Sequence, residues 1–411
     1  MGGLTSVAFS QAARSPFSSF GIGEYYGNSL AHNQGMAGVG ISNPQYYYLN
    51  NKNPALLVYN RFTVFEGGMI VEQRTARGDS TKEVNSNGNL NYLIMGFPIK
   101  PGKWTTSAGL MPYSNVNFVL NYKNDISGST NTVDVTEKGS GGINQFFWSN
   151  GVSLHKNLSV GLKATYLFSS IINETTNSLT NTNQQVAYFP TIYERTYVKD
   201  LDFSLGISYR KDSLTKKNYR LNIGAVYDFK TDLNSELSQR LERRPISKGS
   251  DSVTLATING NITLPQTFSG GISLSKGYQW TLGADFTYLD YKQYRGIDGQ
   301  PASNIKSAFR MAFGFEFTPD LASPSNYLKR MTYRTGVSLD NYPYLVNNSN
   351  VKDFGINFGL SLPVSRISSL DIAVKFGKRG DLQTNTIEEK YFKLYFGVTF
   401  NDQWFIKRKF D

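Results

Sequence analysis

Few side chains in this 411-residue chain are of the types that do covalent chemistry. It has no cysteine, which excludes thiolate nucleophiles, disulfides and cysteine metal sites. Its two histidines, His32 and His155, are too few for a histidine-rich metal centre. Serines abound, but none sits in the Gly-x-Ser-x-Gly elbow that presents a nucleophile. The neighbouring carboxylates Glu388 and Glu389 offer a weak cation signal, and solvated loop acids explain them more simply. His155 falls in an expected tight turn and His32 in a glycine-rich stretch, both ordinary polar positions. No catalytic residue, metal or cofactor is expected.

What the chain does have is aromatic alternation. Phe309, Met311, Phe313, Phe315 and Phe317 share one face, opposite Arg310, Ala312, Gly314 and Glu316. Phe354, Ile356, Phe358, Leu360 and Leu362 oppose Asp353, Gly355, Asn357, Gly359 and Ser361. Fourteen such candidate strands run from about 59–71 and 88–98 through 103–121, 142–155, 158–171, 184–210 and 218–231. They continue through 264–275, 279–290, 305–318, 330–340, 352–363, 368–377 and 388–400. The third is expected to break at Pro112 and the sixth to begin as an irregular loop. Spans of this length exceed those of a soluble sandwich and suit a tilted crossing of hydrocarbon. No apolar run reaches the length of a transmembrane helix. A sheet that is apolar outside, polar inside and closed on itself leaves no backbone group unpaired in lipid. The expected fold is therefore an all-β, closed antiparallel transmembrane barrel of about fourteen strands.

Composition agrees. Aromatic residues make up 14% and charged residues only 18%, an unusual balance for a soluble enzyme of this size. The mean hydropathy of −0.36 averages lipid-facing with lumen-facing positions and decides nothing. Net charge is +11, carried by small basic groups such as Arg240-Leu241-Glu242-Arg243-Arg244, without a nucleic-acid-binding motif. Positive loops beside an anionic lipid surface account for it, and nucleic acid is not an expected partner.

Connections alternate in length. Pro98–Gly102, His155–Asn157, Lys276–Tyr278 and Pro363–Arg366 are tight, whereas 72–87, 122–141, 172–183, 232–263, 291–304 and 341–351 are expected as long polar loops. Short periplasmic turns and long outer loops are the rule for bacterial barrels. The 319–329 turn is long for the short side. An even strand number puts both termini in the periplasm, in the outer membrane of a Gram-negative bacterium. Within 232–263, Leu233, Leu237 and Leu241 recur every fourth residue, like one face of a short helix. They are either a greasy vestibule or partner surface, or packing leucines of a solvated loop.

Residues 11–58 do not alternate and cannot form a sizeable core alone. They are either a disordered leader or a plug, and a fourteen-stranded barrel is wide enough to need filling. A hatch over 11–58 and a barrel over 59–400 follow. Residues 1–10 are either the end of an export signal, cleaved near Ser10 or Gln11, or an ordinary disordered start. The tail 401–411, past the aromatic Phe400, either anchors Trp404 at the inner interface or touches a partner.

Three elements of this segment carry a family resemblance: Gly21-Ile22-Gly23-Glu24, Asn33-Gln34-Gly35-Met36-Ala37-Gly38-Val39-Gly40 and Asn53-Pro54-Ala55. With them the chain resembles the long-chain fatty-acid transporter family of outer-membrane proteins, in its Bacteroidota branch. The resemblance implies an N-terminal hatch, with Gly35, Gly38, Gly40, Asn53, Pro54 and Ala55 as its elements. It also implies passive diffusion of a hydrophobic small molecule such as a long-chain fatty acid, held in an apolar lumen pocket and released past the hatch. A basic side chain would meet the ligand carboxylate. By alternation Lys163, Arg310 and Lys375 face inward, either in that role or as structural charges paired with the inward acids Asp285, Glu316 and Asp371.

Outer-membrane lipid and a hydrophobic ligand are the expected partners, with other outer-membrane or periplasmic proteins reached through 232–263 or 401–411. The alternative is a non-transporting accessory barrel of an outer-membrane export or assembly complex, because some members of the wider family look like such subunits.

Overall fold

The computed structural model describes residues 12–78, 81–126, 128, 132–179, 188–214, 218–245, 251–302, 304–365 and 367–402. The expected segment 1–10 and the tail beyond Asp402, with Trp404, lie outside them. A hatch comes first, with a two-residue strand β1 (Glu24–Tyr25), a short helix α1 (Ala31–Gln34) and a 3-10 turn (Pro54–Tyr59). The wall follows as β2 (Thr63–Arg77), β3 (Lys82–Lys100), β4 (Trp104–Asp125), β5 (Thr132–His155) and β6 (Leu158–Leu179). Next come β7 (Tyr188–Lys211), β8 (Tyr219–Asp228), β9 (Thr231–Pro245), β10 (Asp251–Leu264) and β11 (Thr267–Lys276). The last are β12 (Trp280–Leu289), β13 (Ala308–Phe317), β14 (Thr332–Val346), β15 (Ser349–Pro363), β16 (Ser369–Asp381) and β17 (Ile387–Asp402).

These segments make fourteen strands, because β8 and β9 are two halves of one and β10 and β11 two halves of the next. β7 pairs its lower part with β8 and its upper part with β9, while β11 pairs with β8 and β10 with β9. Every wall pairing is antiparallel, and β17 closes the sheet on β2 from Asp402↔Thr63 to Glu388↔Arg77. Closure removes the edges that lipid would leave without hydrogen bonds.

Alternation becomes inside and outside. On β15, Phe354 and Phe358 are 46% and 51% exposed, while Asp353 and Asn357, each just before one of them, are 2% and 0%. Comparable apolar exposure recurs on β12, β13 and β17, so the apolar surface forms a band round the barrel. Only a bilayer covers such a band.

The outer ends differ from expectation. Most of 72–87, 122–141 and 172–183 is strand, not loop, and 341–351 is a tight hairpin turning at Asn347–Asn348. Above the membrane both faces meet water, so the hydrophobic alternation disappears while backbone pairing continues. The 232–263 loop is likewise the β9–β10 hairpin, with a bulge between Thr254 and Ala256. A repeat of four satisfies a period of two as well as a helix, so Leu233, Leu237 and Leu241 share one strand face. Pro112 does not break β4; register shifts there against β5.

One seam is left in the wall. β3 and β4 pair only from Leu93↔Leu110 downward. Above that level the hatch fills the gap: β1 pairs with Asn115 and Ser114, Ser15 donates its N–H to Asn117 O (2.9 Å), and Arg14 donates its N–H to Asn85 Oδ1 (2.6 Å). The hatch is thus both the lumen plug and part of the wall.

Candidate functional site: a hatch locked into the lumen

The hatch is held first by backbone proximity. Asn53 opens the 3-10 turn by accepting the Ala55 N–H at Oδ1 (3.0 Å), and Pro54 fills the first helical position, where no donor is lost. The Asn53 amide Nδ2 donates to Ile41 O in the hatch (2.8 Å) and to Ile207 O in the wall (3.1 Å). One side chain therefore caps the turn and ties it to β7.

The wall facing this turn is glycine. Gly151, Gly161 and Gly206 lie in register on β5, β6 and β7. A Cβ at Gly151 would stand 2.5 Å from Pro54 O, at Gly161 it would overlap the Pro54–Ala55 peptide, and at Gly206 it would overlap Asn53 Oδ1. A second in-register triplet, Gly283, Gly314 and Gly336, faces Val39 and Met36, with 2.7 Å from a Cβ at Gly314 to Met36. Glycine allows backbone to approach backbone, and any side chain here would push the hatch out.

Charge supplies the second lock. Glu24, on β1, receives Arg74 Nη1 and Arg379 Nη2 at 2.8 Å each, with Lys393 Nζ at 3.6 Å. Arg74 also meets Glu72 (2.9 Å) and Glu389 (3.3 Å), and Arg379 meets Asp353 (2.9 Å) and Glu389 (3.5 Å). Both guanidiniums are at most 2% exposed. Burial alone would raise the Glu24 pKa, yet the guanidiniums of Arg379 and Arg74 and the Lys393 ammonium outweigh it and hold the carboxyl well below its usual range.

A third anchor joins hatch to β12. Asp285 Oδ2 accepts the N–H groups of Gly40 (2.8 Å) and Ile41 (3.0 Å) and the Lys52 ammonium (3.1 Å). Lower down, Arg334 bridges Glu316 (2.7 Å) and Asp371 (3.8 Å), and Tyr48 of the hatch donates to Asp371 (3.1 Å). His32 stacks on Tyr48 at 4.3 Å, with Glu66 4.0 Å away and neither ring nitrogen hydrogen-bonded among the described residues. Burial, and then the charge of Arg334, lowers the His32 pKa well below its ordinary value, so the ring is neutral.

The sequence-derived residues fall as follows. Gly35 ends α1 against Gly359, Gly38 takes the left-handed conformation at φ +88° beside Ser29, and Gly40 donates to Asp285. Asn53, Pro54 and Ala55 form the turn just described. Lys163 lies over the Phe147 ring at 4.7 Å, Lys375 lies 5.6 Å from the Tyr391 ring centre, and Arg310 pairs with Asp340 at 3.6 Å. The pairing of these three cations with Asp285, Glu316 or Asp371 is corrected. Those acids are taken by Lys52 and Arg334, which sit closer in the strand register and the hatch. The solvated-loop view of Glu388 and Glu389 also changes: Glu389 is fully buried in the Arg74–Arg379 network, and Glu388 pairs with Lys378 at 2.8 Å. A signal for this was present, because Lys378-Arg379 and Glu388-Glu389 flank one short connection, and the register sets Arg379 directly opposite Glu389.

Between the locks lies a cavity of about 210 Å³, lined by Lys163, Asp202, Asp228, Asp285, Arg310 and Lys375 among others. These charges stand beside aromatic and aliphatic side chains such as Tyr113, Val226, Leu264 and Met311, so the lining is mixed, unlike the apolar pocket that the fatty-acid resemblance implied. Among the described residues no group of histidine, aspartate and glutamate side chains is placed to hold a metal ion.

The family model described as BamG matches residues 3–411. None of the curated protein sequences matches the chain. Among solved structures, the chain is similar to a FadL homologue of Pseudomonas aeruginosa (TM-score 0.58, 10% identity, covering 92% of this chain and 98% of that one). It is also similar to the toluene transporters TodX of Pseudomonas putida (0.56, 16%, 93% and 98%) and TbuX of Ralstonia pickettii (0.56, 14%, 92% and 98%). Identities this low show a shared fold alone. The protein is a multi-pass barrel of the Gram-negative outer membrane, with both ends of its wall at the periplasmic rim. A near full-length match to a different family overturns assignment to the Bacteroidota branch of the fatty-acid transporters, and with it passive diffusion of fatty acids.

Proposed function

Since the chain belongs to the BamG family, we propose that it is a non-transporting accessory barrel of an outer-membrane protein assembly complex. The family match over residues 3–411 carries this reading. The lumen supports it. Buried ion pairs join Glu24 to β2, β16 and β17, and the glycine triplets bring hatch backbone against wall backbone. Moving that hatch in each transport cycle would expose several buried charges without partners, a cost of several kcal/mol per ion. A fixed plug suits a barrel whose work is done at its surfaces.

The test is extraction from native membranes in mild detergent, with and without depletion of the protein from cells. A fixed-stoichiometry complex with assembly subunits, and lower levels of other outer-membrane barrels on depletion, is expected. Recovery of a lone barrel, with other barrels at normal levels, would sink the reading.

A further inference from the structure

The periplasmic end of the barrel carries a feature that the hatch locks do not use. Its turns hold Lys100, Lys103, Lys156, Lys211, Lys276 and Lys329, against the acids Asp212, Asp320 and Asp402. In the middle of this basic rim, a groove of about 110 Å³ runs between hatch residues 43–48 and the inner wall. Tyr46, Tyr47, Tyr278, Arg220 and Arg330 line it.

Three observations give the groove a charge sign. Asp212 is shared between Arg210 (2.9 Å) and Arg220 (2.7 Å), so two guanidiniums have one carboxylate. Arg330 has its Nε buried with no hydrogen-bond partner among the described residues, while its guanidinium stacks 5.2 Å from the Tyr327 ring. Glu316, the groove's own acid, is paired with Arg334, which also faces Asp371 behind it, so the groove's remaining cations are Arg220 and Arg330 at its mouth. The net result is a cationic slot with donors unspent.

The side-chain types point to a protein partner. Tyrosine and arginine dominate the energetic centres of protein interfaces, and here they are held firm. Tyr46 donates no flexibility: its OH accepts from Arg210 Nη2 (2.7 Å), and its ring lies 5.8 Å from Tyr278 and within cation–π reach of Arg220. Because Arg220 and the hatch tyrosines face the lumen, they stand inside the mouth, away from the lipid headgroups at the barrel's perimeter. The chain's own C-terminal sequence, with Lys407, Arg408 and Lys409, has the wrong sign to fill the slot.

We propose that this mouth is the docking site for an acidic segment of a periplasmic partner protein. Its carboxylates meet Arg220 and Arg330, and its backbone runs between Tyr46 and Tyr278. The inference rests on the accessory-subunit reading and adds the face by which the barrel is held.

A photo-crosslinking amino acid placed at Tyr46, and separately at Tyr278, tests it in living cells, with lipid-facing Phe358 as the control position. The expected result is an adduct with a periplasmic protein, mapped by mass spectrometry to an acidic segment. In the double variant Arg220→Glu, Arg330→Glu the adduct falls by about tenfold or more, while the barrel still shows heat-modifiable migration. If that variant does not fold, Arg330→Gln alone replaces it, with the same direction of change expected. Adducts only with phospholipid, no adduct, a non-acidic mapped segment, or an adduct indifferent to charge reversal each overturn the proposal. The two readings fail separately. Assembly subunits that co-purify with a silent mouth leave the accessory role standing without this docking site. A charge-sensitive acidic adduct on a protein outside any assembly complex leaves the docking site without that role.

Discussion

Glu24 of the hatch and Arg379 of β16 meet at 2.8 Å, 355 positions apart in sequence and both shielded from solvent. Through this pair the N-terminal hatch is bound to nearly the last strand of the wall. Arg379 serves Asp353 and Glu389 as well, so it is the hub on which three carboxylates depend.

Replacing Arg379 with Ala takes one cation from Glu24, Asp353 and Glu389 together, leaving Arg74 to serve Glu24 and Glu389 and the Tyr391 hydroxyl to serve Asp353. Breaking one partner out of a buried network costs about 3–5 kcal/mol. Denaturant unfolding in detergent should show that loss. Glu24→Gln keeps a hydrogen-bonding group at the site and is expected to cost less. Equal stability of Arg379→Ala and wild type would show that the network is not holding the hatch.

Glycine tolerance should follow the side of the wall. Gly161→Val drives a side chain into the Pro54–Ala55 peptide and is expected to unseat the hatch, seen as new conductance in planar bilayers. Gly270→Val, where an added Cβ meets nothing within 4 Å, is the matched control and should remain closed. Closed behaviour in both would remove the argument for backbone contact as a lock.

Asn53 does two jobs that substitution can separate. Asn53→Asp keeps the cap acceptor for Ala55 but loses the donor to Ile41 O and Ile207 O, whereas Asn53→Ala loses both. Loss of the cap alone is worth about 1 kcal/mol. Hydrogen exchange over residues 53–60 should rise in both variants if the tie to β7 matters, and only in Asn53→Ala if the cap is all that counts.

Seating of the hatch should weaken in acid. His32 is held neutral, so on release it regains an ordinary pKa near 6.5 and the released state binds more protons below that pH. Its contribution is flat above about pH 6.5 and is lost as pH falls below it. Glu24 acts in the same direction at lower pH. With its carboxyl depressed in place, its stabilisation is complete above the ordinary value of 4.5 and disappears as pH falls through the depressed one. Limited proteolysis within residues 12–62 should therefore accelerate between pH 7 and 5, and His32→Gln should flatten that first step. The same pH response in His32→Gln and in the wild type would contradict the assignment.

The membrane-embedded part of the wall was legible because lipid demands a period of two. Segments such as Phe354–Leu362 have no other stable reading once they are too long for a sandwich. Outside the bilayer that demand lapses, and so β9 and β10 were indistinguishable from a polar loop with spaced leucines. The lumen charges show the same limit. Alternation puts Arg310, Lys163 and Lys375 inside, but it carries no information on which strand will stand opposite. Arg334 and Lys52, neither singled out by pattern, hold the acids that were assigned to those three.

Sequence by itself therefore determined, within the bilayer, which residues face lipid and which the lumen, and how often the chain must turn to close the wall. Those are local consequences of side-chain polarity and strand geometry. Which residues meet across the lumen was decided only when the sheet closed. Pairs such as Glu24–Arg379 and contacts such as Pro54–Gly161 depend on register, barrel circumference and the path of the hatch. These are properties of the whole ring that no segment of it encodes alone.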